Sequence, residues 1–173
     1  MISSADFQKI TTLIFDIDGT LTDGRAAWLP DGWVLKFFDH HDMHWIKLAV
    51  RAGLKVGLLS GGDDPASRKF AKELSLSFAV FGAKDKLAAW EGILRDEKLS
   101  PDECLYAGDD VVDIPVIKRA GIGVVVHNGV DLSDECEYWR TDSDGGHGAV
   151  QEIICRVLKE KNLYDLVMER YRR

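Results

Sequence analysis

The 173 residues carry a formal charge of −7, with 46 % hydrophobic and 29 % charged residues. That balance is ordinary for a globular protein and predicts one domain with a full core. The acidity excludes a nucleic-acid partner, which needs a basic surface, so an anionic ligand has to be captured by local positive groups. No apolar run approaches the roughly 18 residues of a membrane span, and no apolar stretch follows a basic start. Three widely spaced cysteines, Cys104, Cys136 and Cys155, fit a reducing, cytoplasmic setting.

In chain order, short apolar runs predict strands at 10–15, 54–59, 78–81, 104–107 and 122–126. Helical spacing is read between and after them, at about 42–52, 65–75, 84–98, 113–120 and 148–160. Continuously apolar strands are buried on both faces. Their alternation with helices predicts a doubly wound (Rossmann-like) α/β fold, a parallel sheet with helices on both sides. Residues 24–38 break the rhythm as two short strands around Pro30-Asp31-Gly32, a projecting hairpin. Its Trp28, Trp33, Phe37 and Phe38 would make it poorly soluble alone, so it is expected to pack against other subunits rather than fold back on its own core. The tail at 162–173 places Leu163, Leu166, Val167 and Tyr171 at helical spacing, which suits packing and also a reach over a neighbouring site.

Asp16 and Asp18 stand two residues apart where the first apolar run empties into the turn Gly19-Thr20, facing the same way if the strand continues. Carboxylates so near an apolar core need a cation, and a divalent metal is the natural candidate. Ser60-Gly61-Gly62 ends the second strand, Lys86 lies just beyond the third, and Gly108-Asp109-Asp110-Val111-Val112-Asp113 ends the fourth. Ligands of open α/β sheets bind outside the carboxyl ends of the strands. The assortment fits phosphoryl transfer. A carboxylate nucleophile needs its repulsion from phosphate cancelled, so Mg²⁺ bridging Asp16, Asp109 and a phosphate oxygen is expected. Ser60 can donate to a phosphoryl oxygen, and Gly61 and Gly62 let the backbone approach. Lys86 supplies a neutralising charge, while Asp18 protonates the leaving alcohol and later deprotonates water. Taken singly, an Asp-rich turn is a cap, a lysine at a helix start is solvated, and Ser-Gly-Gly is a turn. Their order after successive strands argues against coincidence. His40, His41 and His44 lack the further ligands a zinc site needs and are read as a substrate-facing or solvated loop.

In Asp16-Ile17-Asp18-Gly19-Thr20, Ser60, Lys86 and Gly108-Asp109-Asp110-x-x-Asp113 the sequence resembles the haloacid dehalogenase superfamily of phosphohydrolases. The resemblance implies an aspartyl-phosphate on Asp16, acid/base work by Asp18, and Mg²⁺ held by Asp16, Asp109 and the Asp18 backbone carbonyl. Asp113 or Asp110 would act through water or by orienting Lys86. Thr22-Asp23-Gly24, Phe38-x-x-x-Asp42, Val80-Phe81-Gly82-x-Lys84-Asp85-Lys86-Leu87, Tyr106-x-Gly108-Asp109-Asp110 and Gly145-Gly146-His147-Gly148-Ala149-Val150-Gln151-Glu152 look like the capless 3-deoxy-D-manno-octulosonate 8-phosphate phosphatase family, over about residues 10–158. The stretches from Asp16 to Ser60 and after Asp109 are too short for an inserted cap. That likeness implies one hydrolase domain over 1–173 and a homotetramer in which hairpins meet and a neighbour helps close each site. It makes Thr20, Gly61, Asp42, His44 and His147 candidate substrate or phosphate contacts.

Three departures surround the expected substrate. The family's Thr-Gly-Arg is Ser60-Gly61-Gly62 here, its Asp-Gly-x-Gly is Asp42-Met43-His44-Trp45, and its Gly-Gly-Arg-Gly is Gly145-Gly146-His147-Gly148. Two arginines able to pair with a sugar-acid carboxylate are therefore absent. The implied substrate is a small phosphorylated sugar or sugar acid, the eight-carbon keto-acid or a related nine-carbon keto-sugar phosphate. The competing readings are a non-catalytic or regulatory tetramerisation module and a phosphoaccepting receiver domain. Retention of Asp16, Asp18, Ser60, Lys86 and Asp109 together opposes the first, and a receiver has no need of the Asp-x-Asp pair.

Overall fold

The structure, a computed structural model, describes residues 2–173. In chain order its strands are β1 (Thr12–Phe15), β2 (Ala27–Trp28), β3 (Val34–Leu35), β4 (Lys55–Leu59), β5 (Phe78–Val80), β6 (Cys104–Gly108), β7 (Ile122–Val125) and β8 (Trp139–Arg140). The helices are α1 (Ser4–Lys9), α2 (His40–Arg51), α3 (Pro65–Leu74), α4 (Lys86–Glu97), α5 (Ile114–Ile117), α6 (Ala149–Glu160) and α7 (Tyr164–Met168). Six strands form a parallel sheet in the order β5-β4-β1-β6-β7-β8, while β2 and β3 pair antiparallel as a separate hairpin. Among the described residues no cap domain interrupts the sheet and its helices.

Continuous apolar character in the central strands reflects burial on two faces. Along β1, Leu13 and Phe15 join the core packed by α1, α2, α3 and α6, while Ile14 points into the core packed by α4 and α5. Strand β6 divides the same way, Leu105 and Ala107 on one side and Cys104 and Tyr106 on the other. This is the two-residue period of a strand with apolar groups at every position.

The structure departs from the sequence expectations at element ends and in two short pieces. Residues 10 and 11 are not strand, because helix α1 precedes them, its start held by Ser3 N–H and Ser3 Oγ both donating to Asp6 Oδ2, at 2.9 and 2.8 Å. The helix expected from 84 begins at Lys86, since the Asp85 carboxylate caps it by accepting from Ala88 N–H at 3.0 Å. That expected at 113–120 is a 3₁₀ turn, Val111–Asp113, followed by the short α5. Strand β8, two residues long at the sheet edge, carries too little pattern to be legible.

The hairpin projects as expected, with Trp28 76 % and Phe37 72 % exposed. Phe38 does not share that surface: it stacks on Phe70 of α3, ring centroids 4.1 Å apart, and seats the hairpin's end on the chain's own core. The tail lies on its own α2. Tyr171 Oη sits 3.0 Å from His44 Nε2 and accepts from Arg51 Nη1 at 3.1 Å, while Tyr164 stacks on Trp45. Among the described residues no helix is long and apolar enough to cross a membrane.

Candidate active site

The sheet brings its two acidic loops together because β1 and β6 are neighbours in register, Phe15 opposite Ala107. From β1 the chain goes to β4 and β5 on one side, then returns to β6 on the other, so strand order reverses there. The carboxyl ends at such a reversal form the crevice of doubly wound folds. Asp16 continues β1, its N–H donating to Ala107 carbonyl at 2.9 Å, and Asp109 follows β6 directly. Gly19 turns the chain with φ +92°, and a Cβ there would lie 2.0 Å from Asp109 Oδ2. Only glycine lets the turn pass so close to that carboxylate.

Lys86, at the first residue of α4, is buried between two carboxylates. Its Nζ lies 2.9 Å from Asp16 Oδ1 and 2.6 Å from Asp113 Oδ1. Tyr106 on β6 donates its hydroxyl to the same Asp113 oxygen at 2.5 Å, and Asp113 Oδ2 accepts from the N–H groups of Asp109 and Asp110, each at 3.1 Å. Both Asp113 oxygens are thus occupied, tying Lys86 and Tyr106 to the loop after β6. Burial, reinforced by the charges of Asp113 and Asp16, holds the Tyr106 phenol far above its usual range, so it remains a donor. Asp110 is exposed and caps the 3₁₀ turn, accepting from Val111 N–H at 2.7 Å.

The site is short of positive charge. Oxygens of Asp16, Asp109 and Asp113 lie within 4.8 Å of one another, with one ammonium, that of Lys86, among them. Burial first, then Asp113, raises Asp16 to about 7 against the pull of Lys86. The same two causes raise Asp109 to about 6. Lys86 stays protonated, because its two carboxylate partners outweigh the burial that opposes its charge. One ammonium cannot balance three carboxylates. A hard divalent cation with oxygen ligands can, and Asp16 and Asp109 are the two carboxylates free to hold it, so the donor set fits Mg²⁺.

Asp18 lies at the mouth, its side chain 43 % exposed. Ser60 is buried, its Oγ accepting from Gly62 N–H at 3.1 Å, and a Cβ on Gly62 would lie 3.1 Å from Asp18 Oδ2. Asp18, Ser60, Gly61 and Gly62 therefore share one rim. Thr20 is buried with its hydroxyl directed at Asp109 Oδ1, 3.4 Å away, rather than outward. The loop carrying His147 packs on the Asp16 turn: Gly146 N–H donates to Thr20 carbonyl at 3.0 Å, and a Cβ on Gly145 would lie 1.8 Å from Gly19 carbonyl oxygen. His147 itself is exposed there.

Two expected substrate contacts have partners within the chain. Asp42 is 1 % exposed, and its Oδ1 accepts from Gln151 N–H at 2.6 Å in the first turn of α6. It ties α2 to α6, and burial raises it to about 6. His44, one helical position pair further along α2, is engaged with Tyr171 of the tail.

Three participants escaped the sequence reading. Lys36, just after β3, places Nζ 2.7 Å from Asp18 Oδ1 and 2.6 Å from Asp64 Oδ2. Asp64 is the cap of α3, accepting from Ser67 N–H at 3.0 Å. Tyr106 stands in the Tyr106-x-Gly108-Asp109-Asp110 likeness, but nothing in that pattern gives its hydroxyl a partner. Lys36 did leave a signal, as the lone charge in the apolar run Trp33 to Phe38.

An acidic group crowded enough to demand a divalent cation, beside a buried lysine, is the chemistry of enzymes that handle phosphoryl groups. A family model described as haloacid dehalogenase-like hydrolase matches residues 38–121. The chain is 30 % identical over 161 residues to the 3-deoxy-D-manno-octulosonate 8-phosphate phosphatase KdsC of Escherichia coli K12, spanning 93 % of this chain and 86 % of that one. The crystal structure of 3-deoxy-D-manno-octulosonate 8-phosphate phosphatase from Moraxella catarrhalis in complex with magnesium ion, phosphate ion and KDO superposes with a TM-score of 0.92 at 28 % identity, covering 97 % of each chain. The cobalt-bound deoxy-D-mannose-octulosonate 8-phosphate phosphatase of Haemophilus influenzae gives a TM-score of 0.88 at 26 % identity, over 93 % and 94 % of the two chains. The chain belongs to the haloacid dehalogenase-like hydrolases, in the capless branch of phosphatases that these relatives represent.

Proposed function

We propose that the chain is a Mg²⁺-dependent phosphomonoesterase acting on a small phosphorylated sugar acid, 3-deoxy-D-manno-octulosonate 8-phosphate or a related keto-sugar phosphate such as a nine-carbon one. The observation that carries the reading is the pairing of Asp16 with Lys86 and Asp109 at the strand-order reversal, with Asp18 at the mouth. Mg²⁺, held by Asp16, Asp109 and the Asp18 backbone carbonyl, would withdraw charge from the phosphoryl oxygens.

In the first step an Asp16 oxygen bonds to phosphorus while the bond from phosphorus to the sugar oxygen breaks. Asp18 gives that oxygen its proton, so the sugar leaves as an alcohol and an aspartyl-phosphate remains. In the second step water attacks phosphorus, Asp18 takes the water's proton, and the bond to Asp16 breaks to release phosphate. Lys86 and the Ser60 hydroxyl offset the negative charge on the transferring group, with Asp113 holding Lys86 in place. Asp18→Asn is expected to slow turnover by about 10²–10⁴-fold. Phosphoenzyme trapped by acid quench should accumulate in it, and normal steady-state turnover would reject the assignment.

The leaving group is where this chain diverges from its relatives. Gly62 and His147 stand where arginines are common, which favours a substrate whose carboxylate is read less tightly than in the eight-carbon case. Ranking kcat/KM across phosphorylated keto-acids and sugars, with and without EDTA, tests the reading. A sugar-acid phosphate should lead, and activity that survives EDTA would refute metal dependence.

A homotetramer built through the hairpin accompanies this function. The exposed Trp28, Trp33, Leu35 and Phe37 support it, because so much aromatic surface on one projection is unfavourable in water. Light scattering should give four chains for the wild type and fewer for a Trp28→Ser/Phe37→Ser double variant. A monomeric wild type at micromolar concentration would contradict the assembly.

A further inference from the structure

The general acid and base proposed above is itself held by a residue outside the four motifs. Asp18 is 43 % exposed, and among the described residues Lys36 is the only side chain hydrogen-bonded to its carboxylate. Nζ reaches both oxygens, at 2.7 Å to Oδ1 and 2.9 Å to Oδ2. The Lys36 side chain is 7 % exposed although it belongs to a projecting hairpin. Lysine is rarely buried unless paired, and here it is paired twice.

The second partner supplies rigidity. Asp64 Oδ2 lies 2.6 Å from Nζ, and Asp64 is fixed by accepting from Ser67 N–H at 3.0 Å and Ser67 Oγ at 2.7 Å at the start of α3. Phe38, two residues beyond Lys36, stacks on Phe70 of the same helix and bridges back to Thr22 in the Asp16 loop. The ammonium is thus located by α3 from one side and by the hairpin strand from the other. A free aspartate at a wet rim would rotate among staggered rotamers, and acid/base transfer needs its oxygen within hydrogen-bond reach of the proton it moves.

We infer that Lys36 is a positioning residue of the reaction, a hairpin-borne clamp that presents the Asp18 carboxylate to the leaving oxygen and then to water. The inference rests on the mechanism proposed above. Its distinctive consequence lies in the difference between the two steps. p-Nitrophenolate departs without being protonated, so formation of the phosphoenzyme from p-nitrophenyl phosphate makes little demand on Asp18. Its breakdown still needs Asp18 to take a proton from water.

The test is rapid-quench kinetics of the full-length enzyme with p-nitrophenyl phosphate and saturating Mg²⁺. Lys36→Met should form phosphoenzyme at a rate within about 3-fold of wild type, yet break it down about 10- to 100-fold more slowly, giving a burst of nitrophenol. Lys36→Arg should recover most of the breakdown rate. Asp64→Asn, which retains a capping oxygen for Ser67 but drops one charge, should move breakdown the same way by less. Unchanged breakdown with a raised KM would overturn the inference and make Lys36 a substrate contact. Equal losses in both steps, with a lower melting temperature and no recovery in Lys36→Arg, would make it a structural prop. A wild type that forms no phosphoenzyme would instead refute the proposed mechanism.

Discussion

Asp16→Asn is expected to lower turnover by at least about 10⁴-fold, the scale on which loss of a nucleophile acts, while leaving a well-folded protein. An amide of the same shape keeps the Lys86 and Asp113 frame but cannot attack phosphorus. The variant should also change stability in a pH-dependent way. In the metal-free wild type Asp16, at about 7, and Asp109, at about 6, titrate above the 3.8 of an unburied aspartate. Their contribution is therefore fully present below pH about 4 and is lost as pH rises through 6 to 7. Asparagine at 16 does not ionise, so metal-free Asp16→Asn should gain melting temperature relative to wild type between pH 5 and pH 8. Mg²⁺ should raise the wild-type melting temperature most at the alkaline end, where both carboxylates are ionised. Calorimetry across that range with EDTA or Mg²⁺ tests both statements, and a metal-free wild type that grows more stable toward pH 8 relative to Asp16→Asn would refute them.

Lys86→Met should damage fold and activity together. It removes the ammonium and leaves Asp16 and Asp113, both buried, without their shared cation. Breaking a buried ion pair from one side costs about 3–5 kcal/mol, because the stranded charges stay out of water. Urea unfolding at pH 7.5 should show that loss, with turnover falling below detection. The double variant Lys86→Met/Asp113→Asn should recover part of the stability and none of the activity. A single variant as stable as wild type would mean that the pair contributes nothing to the fold.

Legibility in the sequence followed the range of the interactions involved. The central strands and the Asp16, Ser60, Lys86 and Asp109 stations were readable because each is a local pattern, an apolar run closed by a polar turn. Element ends shifted where a single side chain intervened, as Asp85 does for α4. The bond from Gln151 N–H to Asp42 was not legible, because only packing of α2 on α6 brings that backbone near the carboxylate. Tyr106 looked like core, and is core, yet its hydroxyl tip is what holds Asp113. Lys36 was missed because its partners, Asp18 and Asp64, come from two other segments of the chain.

The sequence by itself determined the alternation of buried strands and helices, and with it a doubly wound sheet whose carboxyl edge gathers the acidic turns. It also determined the kind of reaction, since two carboxylates, a serine, a lysine and a further aspartate in that order suit phosphoryl transfer. Tertiary structure alone decided how these groups divide the work. Sheet order placed three carboxylates around one ammonium, which creates the demand for a divalent cation. The hairpin's return across the mouth set Lys36 on Asp18. Charge balance and aim depend on distances of a few ångströms between residues far apart in the chain, and no local pattern encodes those.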